Sequence, residues 1–125
     1  MFKIDDTTIK LTRGDIAVIE VSAENNEGEH YKFKAGDIVR LKVFMKKDCS
    51  NIVMHKDVTV AEEGPTVNIS LTSEDTKIGE LINKKATYWY EIELNPDTAP
   101  QTIVGIDDDG EKLFILYPEG ADIDD

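Results

Sequence analysis

Apolar and polar residues alternate with a period of two along most of this chain. In one segment Val39, Leu41 and Val43 share one face, whereas Arg40 and Lys42 lie on the other. This alternation is typical of strands in antiparallel sheets that have one packed face and one solvated face. It recurs at residues 15–23, 52–60, 67–71 and 88–94. The pattern predicts an all-β antiparallel sandwich of about seven to nine strands.

The register of the alternation also predicts which side chains form the core. In each segment, the parity that is apolar throughout is expected to face the opposite sheet. The expected core residues are Ile19, Val21, Leu41, Val43, Ile69, Tyr90 and Ile92.

Turn and helix signals separate the predicted strands. Gly14-Asp15 and Gly36-Asp37 each stand before an isoleucine that opens an alternating segment, which indicates two similar turns. Thr72 or Ser73 precedes acidic residues in a capping pattern, and apolar residues then follow at helical spacing. We predict one short helical turn at the corner near residues 73–82.

Composition and charge limit the classes of partner. The 125 residues predict one domain over residues 1–120, followed by an acidic tail at 121–125. The formal charge of −12 leaves no basic surplus for binding nucleic acid. No apolar run is long enough to span a bilayer, and the first residues show no signal peptide. We therefore expect neither nucleic acid nor membrane as a partner.

Catalytic and metal-binding motifs are scarce. His30 and His55 have no recognisable nucleophile nearby in sequence, so we predict no catalytic residue, no cofactor and no enzyme activity. The run from Asp107 to Glu111 offers oxygen ligands for calcium, but Asp109-Gly110 between apolar segments is more typical of a hairpin turn. We predict no metal site there. Cys49 lies among lysines that could activate it, although an unreactive loop thiol is the simpler interpretation.

Trp89 is the most informative single residue. By parity it shares the face of Glu91 and Glu93, so we predict that it lies on the outer surface. Phe44 and Phe114 oppose the inward sets assigned to their strands and are expected to share that exposure. Exposed aromatic side chains are typical anchors of protein contacts. The alternatives are a strand covered on both faces or a parity shifted by one residue.

Several motifs follow one another in a recognisable order. They are Phe2-x-Ile4, Arg13-Gly14-Asp15, Tyr31 to Asp37, Leu71-Thr72-x-x-Asp75-Thr76, Tyr88 to Leu94 and Gln101 to Gly105. The corner before the aromatic strand resembles that of immunoglobulin-like domains, although the paired cysteines of antibody domains are absent. The order as a whole is similar to the N-terminal domain of tailed-phage baseplate upper proteins.

This resemblance implies an immunoglobulin-like sandwich and a function. The function is a non-catalytic structural module of a phage or prophage virion, of tail or baseplate type, that docks to other virion proteins and can form a homo-oligomer. Its location would be the virion, or the bacterial cytoplasm before assembly. Trp89, Phe44 and Phe114 are the expected contact residues. The alternative is a small-ligand-binding or enzymatic domain on a β-sandwich scaffold.

Overall fold

The computed structural model describes residues 2–5, 8–23, 29–46, 50–79, 84–104 and 112–118. Nine strands and one short helix lie in these ranges, which confirms the prediction of an all-β fold. They are β1 (Phe2–Asp5), β2 (Thr8–Thr12), β3 (Ala17–Val21), β4 (Ile38–Phe44), β5 (Ile52–Thr59), β6 (Val67–Leu71), α1 (Ser73–Thr76), β7 (Ala86–Leu94), β8 (Gln101–Val104) and β9 (Lys112–Tyr117).

The strands form two sheets of unequal size. The larger sheet has the order β1-β2-β9-β7-β4-β5, and the smaller sheet consists of β3 and β6. Strand β7 is the centre of the larger sheet: β4 pairs with one of its edges, while β9 and β8 share the other. The described strands therefore form an all-β fold of two sheets, with only β3 and β6 in the smaller one.

One pair of strands departs from the antiparallel prediction. Strands β2 and β9 run parallel, with Ile9 opposite Phe114 and Leu11 opposite Leu116. Alternation in a sequence specifies which face a side chain takes, but it carries no information on the direction of the neighbouring strand. The antiparallel prediction is therefore wrong for this pair and correct for the other strand pairs of the described residues.

The predicted core is confirmed. All seven of its residues are buried, and the most exposed of them, Tyr90, has only 5% of its surface accessible. Residues of the smaller sheet, such as Ile19 and Ile69, belong to the same cluster as Leu41 and Ile92 of the larger sheet. The two sheets therefore pack face to face around one apolar core, which is the arrangement that the alternation predicts.

The helical turn begins with the predicted cap. The side chain of Thr72 accepts a hydrogen bond from the Asp75 backbone N–H at 3.2 Å, and the Asp75 carboxylate accepts one from the Thr72 N–H at 2.9 Å. Helix α1 ends at Thr76, so it is shorter than predicted, and residues 80–82 of the predicted turn lie outside the described residues. Four residues are too few to form a stable helix alone, and the reciprocal cap supports the turn by satisfying the backbone N–H groups of Thr72 and Asp75.

Both Gly-Asp turns adopt a left-handed backbone at glycine, with φ of 89° at Gly14 and 95° at Gly36. After the second turn, Asp37 accepts hydrogen bonds from the Lys34 N–H and the Tyr31 hydroxyl. Burial opposes the ionisation of Asp37, but these bonds outweigh it and lower its pKa. The hydrogen bond that the Tyr31 hydroxyl donates to Asp37 raises the pKa of Tyr31 to about 12. The Asp37 carboxylate therefore stabilises the second turn together with the left-handed backbone at Gly36.

Candidate functional site

Trp89 lies on the outer face of the larger sheet. Its strand buries Tyr90, Ile92 and Leu94 against the core, so Trp89 and the two residues Glu91 and Glu93 project from the opposite face. Trp89 is half-buried. The predicted parity of β7 is therefore correct, and the tryptophan is not part of the core between the sheets.

A row of apolar side chains crosses the outer face at this level. Trp89 lies opposite Phe44 on β4 and opposite Leu113 on β9, and Phe44 in turn lies opposite Ile52 on β5. We call these four residues the Trp89 row. Ile52 has 54% of its surface exposed, and Leu113 is half-buried. The row gives a solvated sheet face an apolar stripe across four strands.

The expected exposure of Phe44 and Phe114 is wrong. Phe114 is fully buried and belongs to the core, because on β9 it is Phe114 and Leu116 that face inward. Residues 113–117 are all apolar or aromatic, so alternation cannot indicate which parity faces the core. Leu113 takes the outward position that we expected for Phe114, and no signal in the sequence identified it.

Phe44 is a different case, because its register places it on the outer face as predicted. It is nevertheless only 3% exposed, and it lies outside the core cluster. The ladder between β4 and β5 shifts register between Val43 and Phe44, a β-bulge that the sequence does not reveal. Phe44 is therefore a buried member of the Trp89 row and presents little surface to a partner.

Charged side chains occupy the outer face next to the row. Arg40 makes a two-pronged contact with the Asp57 carboxylate, at 2.7 and 3.0 Å, and a further one with Asp97 at 3.1 Å. Lys42 forms an ion pair with Glu93. Each cation of β4 is thus matched by acids on its neighbours, which holds these side chains flat on the sheet.

Glu91 is the least compensated acid on this face. It is the residue opposite Lys42, but Lys42 is already paired with Glu93. Burial, followed by the nearby negative charge of Glu93, raises the pKa of Glu91, and Lys42 only partly opposes this. An acid with a raised pKa destabilises the native state once it is ionised.

We therefore expect Glu91→Gln to stabilise the protein at pH 7, by about 0.5 kcal/mol or less, as is usual for a surface substitution. The pKa of Glu91 is higher in the native state than in the unfolded state. The wild type therefore loses stability as Glu91 ionises, once the pH rises above about 4.3, the ordinary pKa of glutamate. Below that pH the gain should vanish. Urea unfolding of both proteins at pH 4 and pH 7 measures it, and an equal gain at both values would contradict the pKa argument.

The remaining candidate residues do not assemble into a site in the described part of the chain. His30 and His55 are both exposed. Within the described ranges, no three His, Cys, Asp or Glu residues are placed to hold a metal ion. Cys49, the run Asp107–Glu111 and the acidic tail lie outside those ranges. The helix that the structure describes is far too short and polar to cross a membrane.

Comparison of the chain with protein-family models, curated proteins and solved structures finds no match.

Proposed function

We propose that this protein is a non-catalytic structural module of a phage or prophage virion, of tail or baseplate type. It docks to other virion proteins through the outer face of its larger sheet. The Trp89 row is the observation that carries the proposal. The order of motifs that resembles baseplate upper proteins supports the virion setting.

The physical case for docking rests on what surrounds Trp89. The partly exposed side chains of Trp89 and Leu113, with exposed Ile52 at the end of the row, offer an apolar strip to a partner. Aromatic residues in such positions commonly carry much of the binding free energy, and a surrounding polar rim excludes water. The Arg40 and Lys42 ion pairs supply a rim of this kind on one side of the row.

Net charge shapes how the module can associate. At −12, identical copies repel each other at long range, so a contact between copies needs a local apolar patch. Salt screens this repulsion beyond about 8–10 Å at physiological strength. Any homo-oligomer is therefore expected to strengthen from low to moderate salt.

We expect Trp89→Ala to weaken assembly, or capture of a virion partner, by about thirtyfold, which corresponds to an anchor residue worth about 2 kcal/mol. The free energy of unfolding should fall by only about 1 kcal/mol, as for the neighbouring Leu113, because Trp89 lies outside the core cluster. Sedimentation velocity at two salt concentrations measures the association, and urea unfolding measures the stability.

Thr87→Ala is the matched control, since Thr87 lies on the same face of β7 and is exposed. It should leave both quantities unchanged. A different result would contradict the proposal: Trp89→Ala costs about 3–5 kcal/mol of stability, as for a core aromatic, and the folded fraction associates normally. Trp89 would then be a structural residue and not a contact residue.

The virion assignment has a separate test. Particles purified after prophage induction of the encoding strain are expected to contain the protein in stoichiometric amount by quantitative mass spectrometry. Its absence from those particles would overturn the virion setting. The second function class, a ligand-binding or enzymatic domain, would gain support if Trp89→Ala had no effect on any association.

A further inference from the structure

Among the described residues, the edge of β3 that faces away from β6 has no strand beside it. Strand β3 pairs with β6 along Ala17–Val21, and no other strand of the described residues pairs with β3. Alternate backbone N–H and C=O groups of β3 therefore point away from β6, and no strand in the described part of the chain receives them. Such an edge is a template for an additional strand.

The outer face of β3 carries apolar side chains, although it faces solvent. Ile16 has 75% of its surface exposed and Val18 has 53%, whereas Ala17 and Ile19, on the other face of the strand, are buried. A shallow depression of about 590 Å³ lies here, lined by Ile16, Ala17, Val18, Ser70, Leu71 and Thr72. Two neighbouring exposed aliphatic side chains beside an open strand edge form a natural contact for a partner's side chains.

The charge of this surface selects the partner. Residues 15–23 and 65–76 contain no lysine, arginine or histidine. Glu20 and Glu74 are exposed, and neither forms an ion pair among the described residues. The larger sheet differs, because its acids Asp57 and Glu93 are matched by Arg40 and Lys42. Glu20 and Glu74 therefore offer exposed carboxylates to a cation supplied by a partner, whereas the incompletely compensated acid of the larger sheet, Glu91, is half-buried.

We propose that the open edge of β3 accepts an extended segment of a partner protein, which adds a third strand to the smaller sheet. The segment places an apolar side chain beside Val18 and a lysine or arginine beside Glu20. A second copy of this chain is disfavoured, because its own β3 would bring Glu20 and the net charge of −12 to the same contact. This site is separate from the Trp89 row and does not depend on the virion assignment.

The test uses the full chain and the synthetic peptide acetyl-Thr-Lys-Val-Val-Thr-Val-Thr-amide, whose lysine and central valine fall opposite Glu20 and Val18 in an antiparallel register. An NMR titration is expected to shift the amide signals of β3 and to leave those of β7 in place. Val18→Ser should weaken binding about tenfold, the loss expected for one apolar side chain. Glu20→Gln should weaken it and reduce its dependence on salt.

The matched control is Ile52→Ser, because Ile52 and Val18 are almost equally exposed, at 54% and 53%, but lie on different sheets. It should leave peptide binding unchanged. Two further peptides carry N-methyl groups on alternate nitrogens. Strand addition predicts that one of them loses binding and the other keeps it, since only one set of N–H groups faces β3.

Three outcomes would overturn the proposal. The first is equal binding by both methylated peptides, and the second is no titration of β3 by the parent peptide. The third is an effect of Val18→Ser on self-association and none on peptide binding, which would identify a second copy as the occupant. Because Trp89→Ala is expected to leave peptide binding intact, failure at β3 and failure at the Trp89 row can be told apart.

Discussion

Phe114→Ala is expected to lower the free energy of unfolding by about 3–5 kcal/mol, the usual cost of deleting a buried aromatic side chain. Phe114 is fully buried within the core cluster, and its strand joins β7 to β2. Alanine would leave a cavity at this junction, where neither neighbouring strand is free to collapse into it. Urea unfolding monitored by circular dichroism measures the loss.

Leu113→Ala is the matched control for this experiment. Leu113 is the adjacent residue on β9 but faces outward and is half-buried, so its removal should cost only about 1 kcal/mol. If the two losses were reversed, β9 would be displaced by one residue, and Phe114 would return to the outer face.

Leu41→Ala is expected to cost about 2–5 kcal/mol. Leu41 is fully buried on β4, with Ile92 opposite it on β7 and Lys56 opposite it on β5. Both flanking strands are hydrogen-bonded to β4, so the sheet cannot close around the missing side chain. The same unfolding measurement applies to this variant.

An exposed aliphatic residue on the neighbouring strand provides the comparison. Ile52→Ala should stay within about 0.5 kcal/mol of the wild type, as surface substitutions usually do. A loss for Leu41→Ala that is no larger than this would contradict the placement of β4 at the centre of the core.

The face of a strand could be predicted where only one parity is apolar. Leu41 and Val43 alternate with Arg40 and Lys42, and the structure buries the first pair and leaves the second pair on the outer face. The same reasoning placed Trp89 outside the core. Burial of an ionisable side chain carries a large free-energy cost, so a charged residue between apolar ones fixes the register strongly.

The prediction failed where the sequence contains no such contrast. Every residue from Leu113 to Tyr117 is apolar or aromatic, and the charged residue of β9, Lys112, shares the parity of Phe114 although it is buried, so the sequence does not indicate the inward face. Only the pairing of β9 with β7 and β2 selects the inward set. The bulge beside Phe44 and the two-stranded form of the smaller sheet are likewise properties of tertiary pairing, which alternation in the sequence does not encode.

The parallel contact between β2 and β9 has a consequence for how the chain reaches its native state. It joins the beginning and the end of the described sequence, so the larger sheet cannot be completed on the ribosome until β9 has been synthesised. Until then, the edges of β2 and β7 that pair with β9 in the native state can form hydrogen bonds with incorrect strands. Closing so long a loop carries a high entropic cost, and domains dominated by distant pairings fold in about milliseconds to seconds. The native sandwich is therefore expected to form slowly and only once β9 has been synthesised, with its most aggregation-prone stage immediately before that strand docks.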